Sequence, residues 1–444
     1  MAHRRFIHSA GVRGRHSEAR RVTTYAFPDA FAAISYAAIF AAGALIAMRR
    51  PAYAVVLLVV VQPFAMYGNA WVTTVTLPKA ALLGVLLGLS THPGVWRPLA
   101  APAARALLIA GIIVLAATML TFVHASFYGP VVRESLKNAE YILIFVAVVC
   151  AYRLDPDVAI VRSACIAVAA LVAMLALSQE VYGATSMVAI NGHHVPRVAG
   201  PLEGPNQLAG YLDVAIPLVF ALCIDAPSLA GELTLFLLVV ADVLTFSRGG
   251  LAGAFVAIVT VALTFREHIR RPIGFMIAGL AAGILAADVP AHSVTAIFRI
   301  WDNATTSGGV GTRTNLWRAA LALWRQHPIF GIGAGNFELE VGRAIPGVRT
   351  HSNSIYLQSL VEGGIPSLAA TLWLTYVSIA TFVRDRLRSP FVAAACAASI
   401  ALALHDVVDW LIFYPKVGGW WWIVLGLAAA QLAAPDRERK PVCA

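Results

Sequence analysis

Charge is the first thing in short supply. Asp, Glu, Lys and Arg make up only 13% of the 444 residues, where a soluble globular domain carries about 25%. That excludes an ordinary soluble fold. Cysteine is scarce as well. Of five, Cys150, Cys165, Cys223 and Cys396 sit inside apolar runs and Cys443 lies in the tail. No C-x-x-C spacing occurs, so neither a zinc site nor a disulfide framework is expected. The segment up to Arg21 is rich in Arg and His but has no apolar centre, which argues against a cleaved signal peptide. No internal repeat is visible, whereas many transporters are built from symmetry-related halves. Most loops that read as internal are short and basic, and the longest, around 77–90, holds no Asp or Glu, which disfavours a cytosol-facing nucleotide-sugar transferase that needs carboxylates for a metal.

Apolar residues are abundant. They form 59% of the chain, and the mean hydropathy is +0.76. Apolar runs fall at 28–48, 51–67, 77–90, 104–124, 138–152, 158–178, 207–224, 229–246, 249–265 and 272–288, then at 354–383, 390–413 and 417–434. A span needs about 20 residues, and lipid satisfies no backbone hydrogen bond, so such runs must be helices. The expected fold is all-α, a polytopic membrane helical bundle of about 12 transmembrane helices (range about 11–13) with one large external loop. The expected divisions are a basic cytoplasmic tail over 1–24, a first bundle over 25–288, the loop over 289–352, further helices over 353–434 and a tail over 435–444.

The net charge of +10 comes mostly from Arg. Cytoplasmic loops of membrane proteins collect Lys and Arg, so the basic balance does not imply nucleic acid. Arg266, Arg270 and Arg271, then Arg384, Arg386 and Arg388, then Arg437, Arg439 and Lys440 mark the inside. Gly183–Asn206, Ser247-Arg248-Gly249 and Val289–Ser352 are then outside. A basic N-terminal tail on the inside requires an even number of spans. The short run 77–90 is therefore expected not to cross fully, which leaves Arg49 and Arg50 outside.

Four external elements carry possible chemistry. Ser247 is suited to cap a helix opening at Arg248. A helix N-terminus beside a guanidinium and two glycines can hold an anion such as phosphate, although an interfacial Arg that merely snorkels fits the same pattern. Arg197 stands on the same side, in a Gly/Pro-rich stretch leading into an apolar run. Asn206 there reads as an N-cap. His193 and His194 lack partners at ligand spacing and read as surface. In the long loop, Leu316, Ala320 and Leu323 recur at helical spacing, as do Trp317, Leu321 and Trp324, so Thr312–Arg325 is an amphipathic helix. It carries Arg313, Arg318 and Arg325. Gly331, Gly333 and Gly335 follow with no strand before them, which favours a tight turn over a nucleotide loop. Farther on, His405 and Asp409 at i, i+4 are either a supporting pair or an ordinary buried polar contact.

The remaining stretch is Thr350–Gly364. With a helix starting near His351, the side chains of His351, Gln358 and Glu362 share one face. Polar groups at membrane depth are costly and usually face a cavity or a partner. Asn353 and Tyr356 lie among them.

The order Ser247-Arg248-Gly249, Thr312-Arg313 with Leu316-Trp317, His327-Pro328 with Gly331 to Phe337, then His351-Ser352-Asn353 with Glu362-Gly363-Gly364 resembles the O-antigen ligase and O-antigen polymerase superfamily. The resemblance covers about Arg197 to Gly364. It implies a glycosyltransferase of the bacterial inner membrane, with the active site and the 289–352 loop facing the periplasm. Such enzymes take a glycan from undecaprenyl diphosphate without a cofactor or metal, among membrane lipids. Ligases pass it to the lipid A core, polymerases to a second lipid-linked glycan, and related members to protein. The resemblance implies that Arg248 and Arg313 hold the diphosphate and that His351 activates the acceptor hydroxyl. Arg197, Asn206, Arg318, Asn353, Gln358 and Glu362 are expected in support. A ligase-like transfer with inversion is the expectation. A polymerase, or a non-enzymatic transporter of an anionic lipid-linked glycan, is the alternative.

Overall fold

The structure is a computed structural model. It describes residues 29–64, 67–70, 73–183, 186–190, 193–266, 269–287, 310–344, 348–386 and 389–433. The tails expected over 1–24 and 435–444 lie outside the described residues, as does the loop from 288 to 309. The bundle helices are α1 (Asp29–Arg49), α2 (Pro51–Val61), α3 (Leu77–Ser90), α4 (Pro102–Leu120), α5 (Tyr128–Leu154), α6 (Val158–Tyr182), α7 (Pro205–Asp225), α8 (Leu229–Leu244), α9 (Arg248–Thr264) and α10 (Arg270–Ala286). The loop region adds α11 (Val310–Trp324) and α12 (Phe337–Ala344). The chain then returns through α13 (Ile355–Val383), α14 (Pro390–His405) and α15 (Pro415–Leu432). Two antiparallel hairpins break the all-α expectation. These are β1 (Tyr67–Ala70) with β2 (Thr73–Thr76), and β3 (Ser186–Ile190) with β4 (His193–Arg197). Strands this short carry too little apolar alternation to stand out beside long helical runs.

Among the described residues, five helices are long and apolar enough to cross a membrane, α5, α6 and α7 being three of them. Their outward faces stay apolar, with Ile109, Ile112, Leu171, Phe255, Ile277 and Leu372 all exposed. In water such a belt would be an aggregation surface; around a helical bundle it is a lipid-facing surface. The chain is an all-α membrane bundle apart from its hairpins. At its centre stands α7, whose apolar window is 94% buried, with Tyr211 stacked on Trp420 of α15 at 5.5 Å.

The ends of α2 and α3 correct one expectation. The first turn of α2 meets the α5–α6 turn, where Ala52 N donates to Asp155 Oδ2 at 3.3 Å. Its last turn meets the start of α15, where Gln62 Nε2 donates to Pro415 O at 2.7 Å. Beyond α3, His92 Nε2 lies 2.9 Å from Ala47 O near the end of α1. Helix α3 therefore runs back between the two ends of the bundle, parallel to α1. Small residues allow this. A Cβ on Gly84 would lie 2.1 Å from Phe40 O, and one on Gly88 2.3 Å from Ala44 O, so the backbones touch as small-residue helix pairs do. Arg49 and Arg50 thus sit at the end opposite Pro415, not beside it. The start of α1 lies at the Pro415 end.

Helix α13 breaks within itself. Gly364 has φ 64° and ψ −157°, and Pro366 follows. Proline has no N–H for the carbonyl four residues back, and the break strips Val361 O of its partner too. Both carbonyls are taken by the glycine turn. Ile332 N donates to Val361 O at 3.0 Å and Gly333 N to Glu362 O at 2.8 Å. The Gly331–Gly335 segment is thus the tight turn that its composition predicts. Above it a second small core holds Leu316, Ala320, Ile332, Phe337, Val341 and Val361. The face of α11 expected to be buried is the one that packs down on α13.

Gly331 has φ 68°, and a Cβ there would lie 2.3 Å from the Glu362 carbonyl carbon. Gly331→Ala is expected to cost at least about 1–2 kcal/mol from the left-handed backbone alone, with the clash adding to it. Gly274→Ala is the control, since its Cβ meets nothing within 4 Å. Thermal unfolding in detergent should show a lowered midpoint for the first variant only.

Candidate functional site

Three arginines gather at the Pro415 end of the bundle. Arg197 closes β4, where its Nε donates to Thr245 O at 2.6 Å and its Nη2 to Asn206 Oδ1 at 2.8 Å. Thr245 caps the C-terminus of α8, so the guanidinium also meets the negative end of that helix. Asn206 Nδ2 then donates to Asp409 Oδ2 at 2.7 Å. The same oxygen faces Arg313 Nη2 at 3.7 Å. Asn206 is thus a bridge in the first turn of α7. Gly204, not Asn206, is the N-cap.

The third arginine opens α9. Ser247 caps that helix as its sequence predicts, accepting from Gly250 N at 3.4 Å. Arg248 is exposed. It lies near enough to the other two that its charge acts on both. Burial, then the neighbouring Arg313, pushes Arg197 down to about 10, while Asp409 partly offsets this. Burial also lowers Arg313, against the pull of Asp409. Arg197 and Arg313 nonetheless stay charged at neutral pH. Three neighbouring guanidiniums with one carboxylate among them leave a net positive site, suited to an anion with several oxygens.

Behind Arg248 lies a buried polar chain whose members no local spacing connects. His405 Nδ1 lies 2.7 Å from Asp213 Oδ2 on α7, and its Nε2 lies 3.4 Å from Ser247 Oγ. Gly249 leaves room for the ring, because a Cβ there would lie 2.4 Å from His405 Cδ2. The spacing of His405 and Asp409 suggested a pair on one helix. However, α14 ends at His405. Asp409 lies beyond the helix and turns to the arginines, while His405 turns to Asp213 and Ser247. The carbonyls of Asp406 and Asp409 both accept from Ile355 N at 3.0 Å, which fixes this turn on the start of α13.

His351 stands before α13, not on it. The helix starts at Ile355 with Ser354 as N-cap, and Asn353 takes a left-handed φ of 54°. Hence His351 does not share a helical face with Gln358 and Glu362. Those two hold its surroundings instead. Gln358 Oε1 accepts from Ser352 N at 2.8 Å, and its Nε2 donates to Glu362 Oε1 at 2.8 Å. Glu362 Oε1 also accepts from Phe337 N at 3.1 Å. Ser352 is the neighbour of His351, and Phe337 is the neighbour of Glu338. The buried amide and carboxylate thereby hold together two segments whose next residues pair, with His351 Nε2 lying 3.2 Å from Glu338 Oε1.

The imidazole also packs against rings. Trp410 is edge-on at 4.8 Å and Phe413 is tilted at 4.5 Å. Tyr414 stands edge-on at 6.4 Å. Burial, then the charges of Asp409 and Glu203, pushes its hydroxyl up.

Of the expected supporting residues, Arg197 and Asn206 are in the arginine cluster, and Gln358 and Glu362 hold the histidine loop. Asn353 shapes the turn. Arg318 is not brought in. It is exposed and donates to Asn315 Oδ1 at 3.1 Å on its own helix. Glu338, Asp213 and the ring wall of Trp410 and Phe413 were not anticipated. Among the described residues no group of three or more His, Cys, Asp or Glu could hold a metal.

No curated protein matches the chain. Residues 233–372 match the family model described as O-Antigen ligase. That stretch holds Arg248, Arg313, the glycine turn, Glu338 and His351, while Arg197, Asn206 and Asp409 reach the cluster from outside it. With this core of the site inside it, the matched stretch is similar to the O-antigen ligase superfamily.

Proposed function

We propose that the protein moves a glycan from undecaprenyl diphosphate to an acceptor hydroxyl, ligase-like, on the periplasmic face of a bacterial inner membrane. The observation that carries this reading is the gathering of Arg197, Arg248 and Arg313, with Asp409 beside Arg313 and joined to Arg197 through Asn206, at the same end of the bundle as His351. Arg49, Arg50, Arg153, Arg270, Arg271 and Arg384 all lie at the other end, which favours the cytoplasm for that end. On this reading α3 also crosses, which makes thirteen spans of α1 to α10 and α13 to α15. That is one more than the twelve expected.

In the proposed reaction the acceptor oxygen attacks the anomeric carbon from the side opposite the phosphate. The carbon–oxygen bond to the diphosphate breaks, and the departing oxygen takes the electron pair. Arg248 and Arg313 stabilise the charge that develops there. With Nε2–H of His351 donating to Glu338, Nδ1 carries the lone pair that receives the acceptor proton. The anomeric centre inverts.

Arg248 depends on its support. Gly249→Ala forces the His405 ring away and breaks its contact with Ser247, so the start of α9 shifts. Transfer should fall about tenfold or more, since misplacing a charged group by about 1 Å can cost 10²-fold. Unchanged transfer in a folded Gly249→Ala protein would show that the Ser247–His405 contact does not position Arg248.

The reaction type is tested by deleting the gene and running lipopolysaccharide on a gel. A ligase predicts loss of all long chains from the core. A single repeat left on the core indicates a polymerase instead, and an unchanged ladder removes both.

A further inference from the structure

A cavity lies between α4, α5, α13 and α15, on the far side of the Trp410–Phe413 wall from His351. Its wall changes along its length. Toward the Pro415 end it is polar, with Thr118, Glu134, Lys137, Asn138 and Ser359. Toward the middle of the bundle it is apolar, with Val114, Ile142 and Leu374 beside Trp421 and Trp422. That gradient suits an amphiphile with a polar head and an apolar tail.

The head cannot be the diphosphate. No arginine lines the cavity. Its ammonium group is already matched, as Lys137 Nζ lies 2.6 Å from Glu134 Oε2 and 3.4 Å above the Phe413 ring centre. What the lining offers is a neutral, polyhydroxyl head. Trp410 and Phe413, with ring centres 4.2 Å apart, close the cavity on the His351 side, with Lys137 lying over the Phe413 ring. Asn138 donates to Thr118 Oγ1 at 3.0 Å, and Ser359 and Thr371 share a hydrogen bond of 2.9 Å. These are groups that give and take hydroxyl hydrogen bonds. Glu134 supplies the independent sign. It is 5% exposed, and its Oε1 has no hydrogen bond, with Arg133 Nε the near cation at 3.9 Å. A buried acceptor left without a donor is costly, and a ligand hydroxyl would satisfy it.

We infer that this cavity binds the saccharide head of a lipid-borne glycan, separate from the arginine cluster, with Glu134, Lys137 and Asn138 as its polar contacts and the Trp410–Phe413 pair as the wall between it and His351. The inference rests on the proposed function only in calling that saccharide the acceptor. Donor and acceptor heads would then flank His351.

The test needs no transfer. Full-length protein in nanodiscs is titrated with radiolabelled octyl glucoside below its micelle concentration, with empty nanodiscs subtracted. Saturable binding is expected, displaced by unlabelled octyl glucoside but not by an octyl polyethylene glycol ether. Asn138→Leu should weaken it at least about tenfold. Thr118→Val, which keeps the shape and removes the hydroxyl, should weaken it as well if the larger change unfolds the protein. Arg248→Ala should bind as the unaltered protein does. Absence of saturable binding, equal displacement by the ether, or unweakened binding in folded Asn138→Leu and Thr118→Val would overturn the inference. An error in the proposed function would appear instead as normal transfer by the arginine and His351 variants.

Discussion

Replacing Arg248 or Arg313 with alanine should lower glycan transfer about 10²–10³-fold, the usual cost of removing one positioned donor from a developing oxyanion. The two arginines approach from different elements, the first turn of α9 and the start of α11, and Asp409 faces only one of them directly. Neither can therefore replace the other. Arg248→Lys should recover part of the loss, because lysine restores the charge but not the two-pronged geometry. Arg318→Ala should transfer normally, since that side chain is exposed and bonded within its own helix. Each variant is compared in a strain lacking the native gene, with membrane levels measured alongside. Normal transfer by both Arg248→Ala and Arg313→Ala would end the diphosphate reading.

His351→Ala should lower transfer by about 10²–10⁴-fold, the range for a positioned acid–base group. Its effect should differ in kind from that of the arginines. The imidazole packs on Trp410 and Phe413 and pairs with Glu338, so its removal should slow the chemical step and leave donor affinity near normal. His351→Gln, which keeps more of the side-chain bulk against the rings, should be as inactive as the alanine variant. Glu338→Gln keeps a hydrogen-bond acceptor and loses the charge, and should cost about tenfold, in line with the loss on mutating other partners that orient a functional imidazole. A kcat/KM loss due wholly to weaker donor binding would point to a structural role for His351 instead.

These expectations rest on residues that differ in how far their roles could be read from the chain. The Ser247 cap, the buried face of α11 and the glycine turn were legible because each is set by local spacing. The start of α13 was not. The stretch from His351 into the apolar run is smooth in that no Gly or Pro interrupts it, and only the left-handed Asn353 and the Ser354 cap set the helix start at Ile355. The same smoothness hid the end of α14, so Asp409 looked like a helical partner of His405 when it belongs to the arginines. Asp213 and His405 stand 192 residues apart, and no local pattern connects them. Helix α3 was discounted for its 14 residues, yet close packing on α1 through Gly84 and Gly88 carries it between the two ends. Glu338 was hidden for another reason. It read as one acid among several in a basic loop, and only the clamp of Gln358 and Glu362 sets it beside His351.

The most direct measurement is a structure of the full chain with undecaprenyl diphosphate bound. The account predicts phosphate oxygens within about 3 Å of the Arg248 and Arg313 guanidiniums, with the His351 imidazole opening onto the same pocket. A diphosphate held at the Arg49–Arg50 end, or one that touches neither Arg248 nor Arg313, would contradict it.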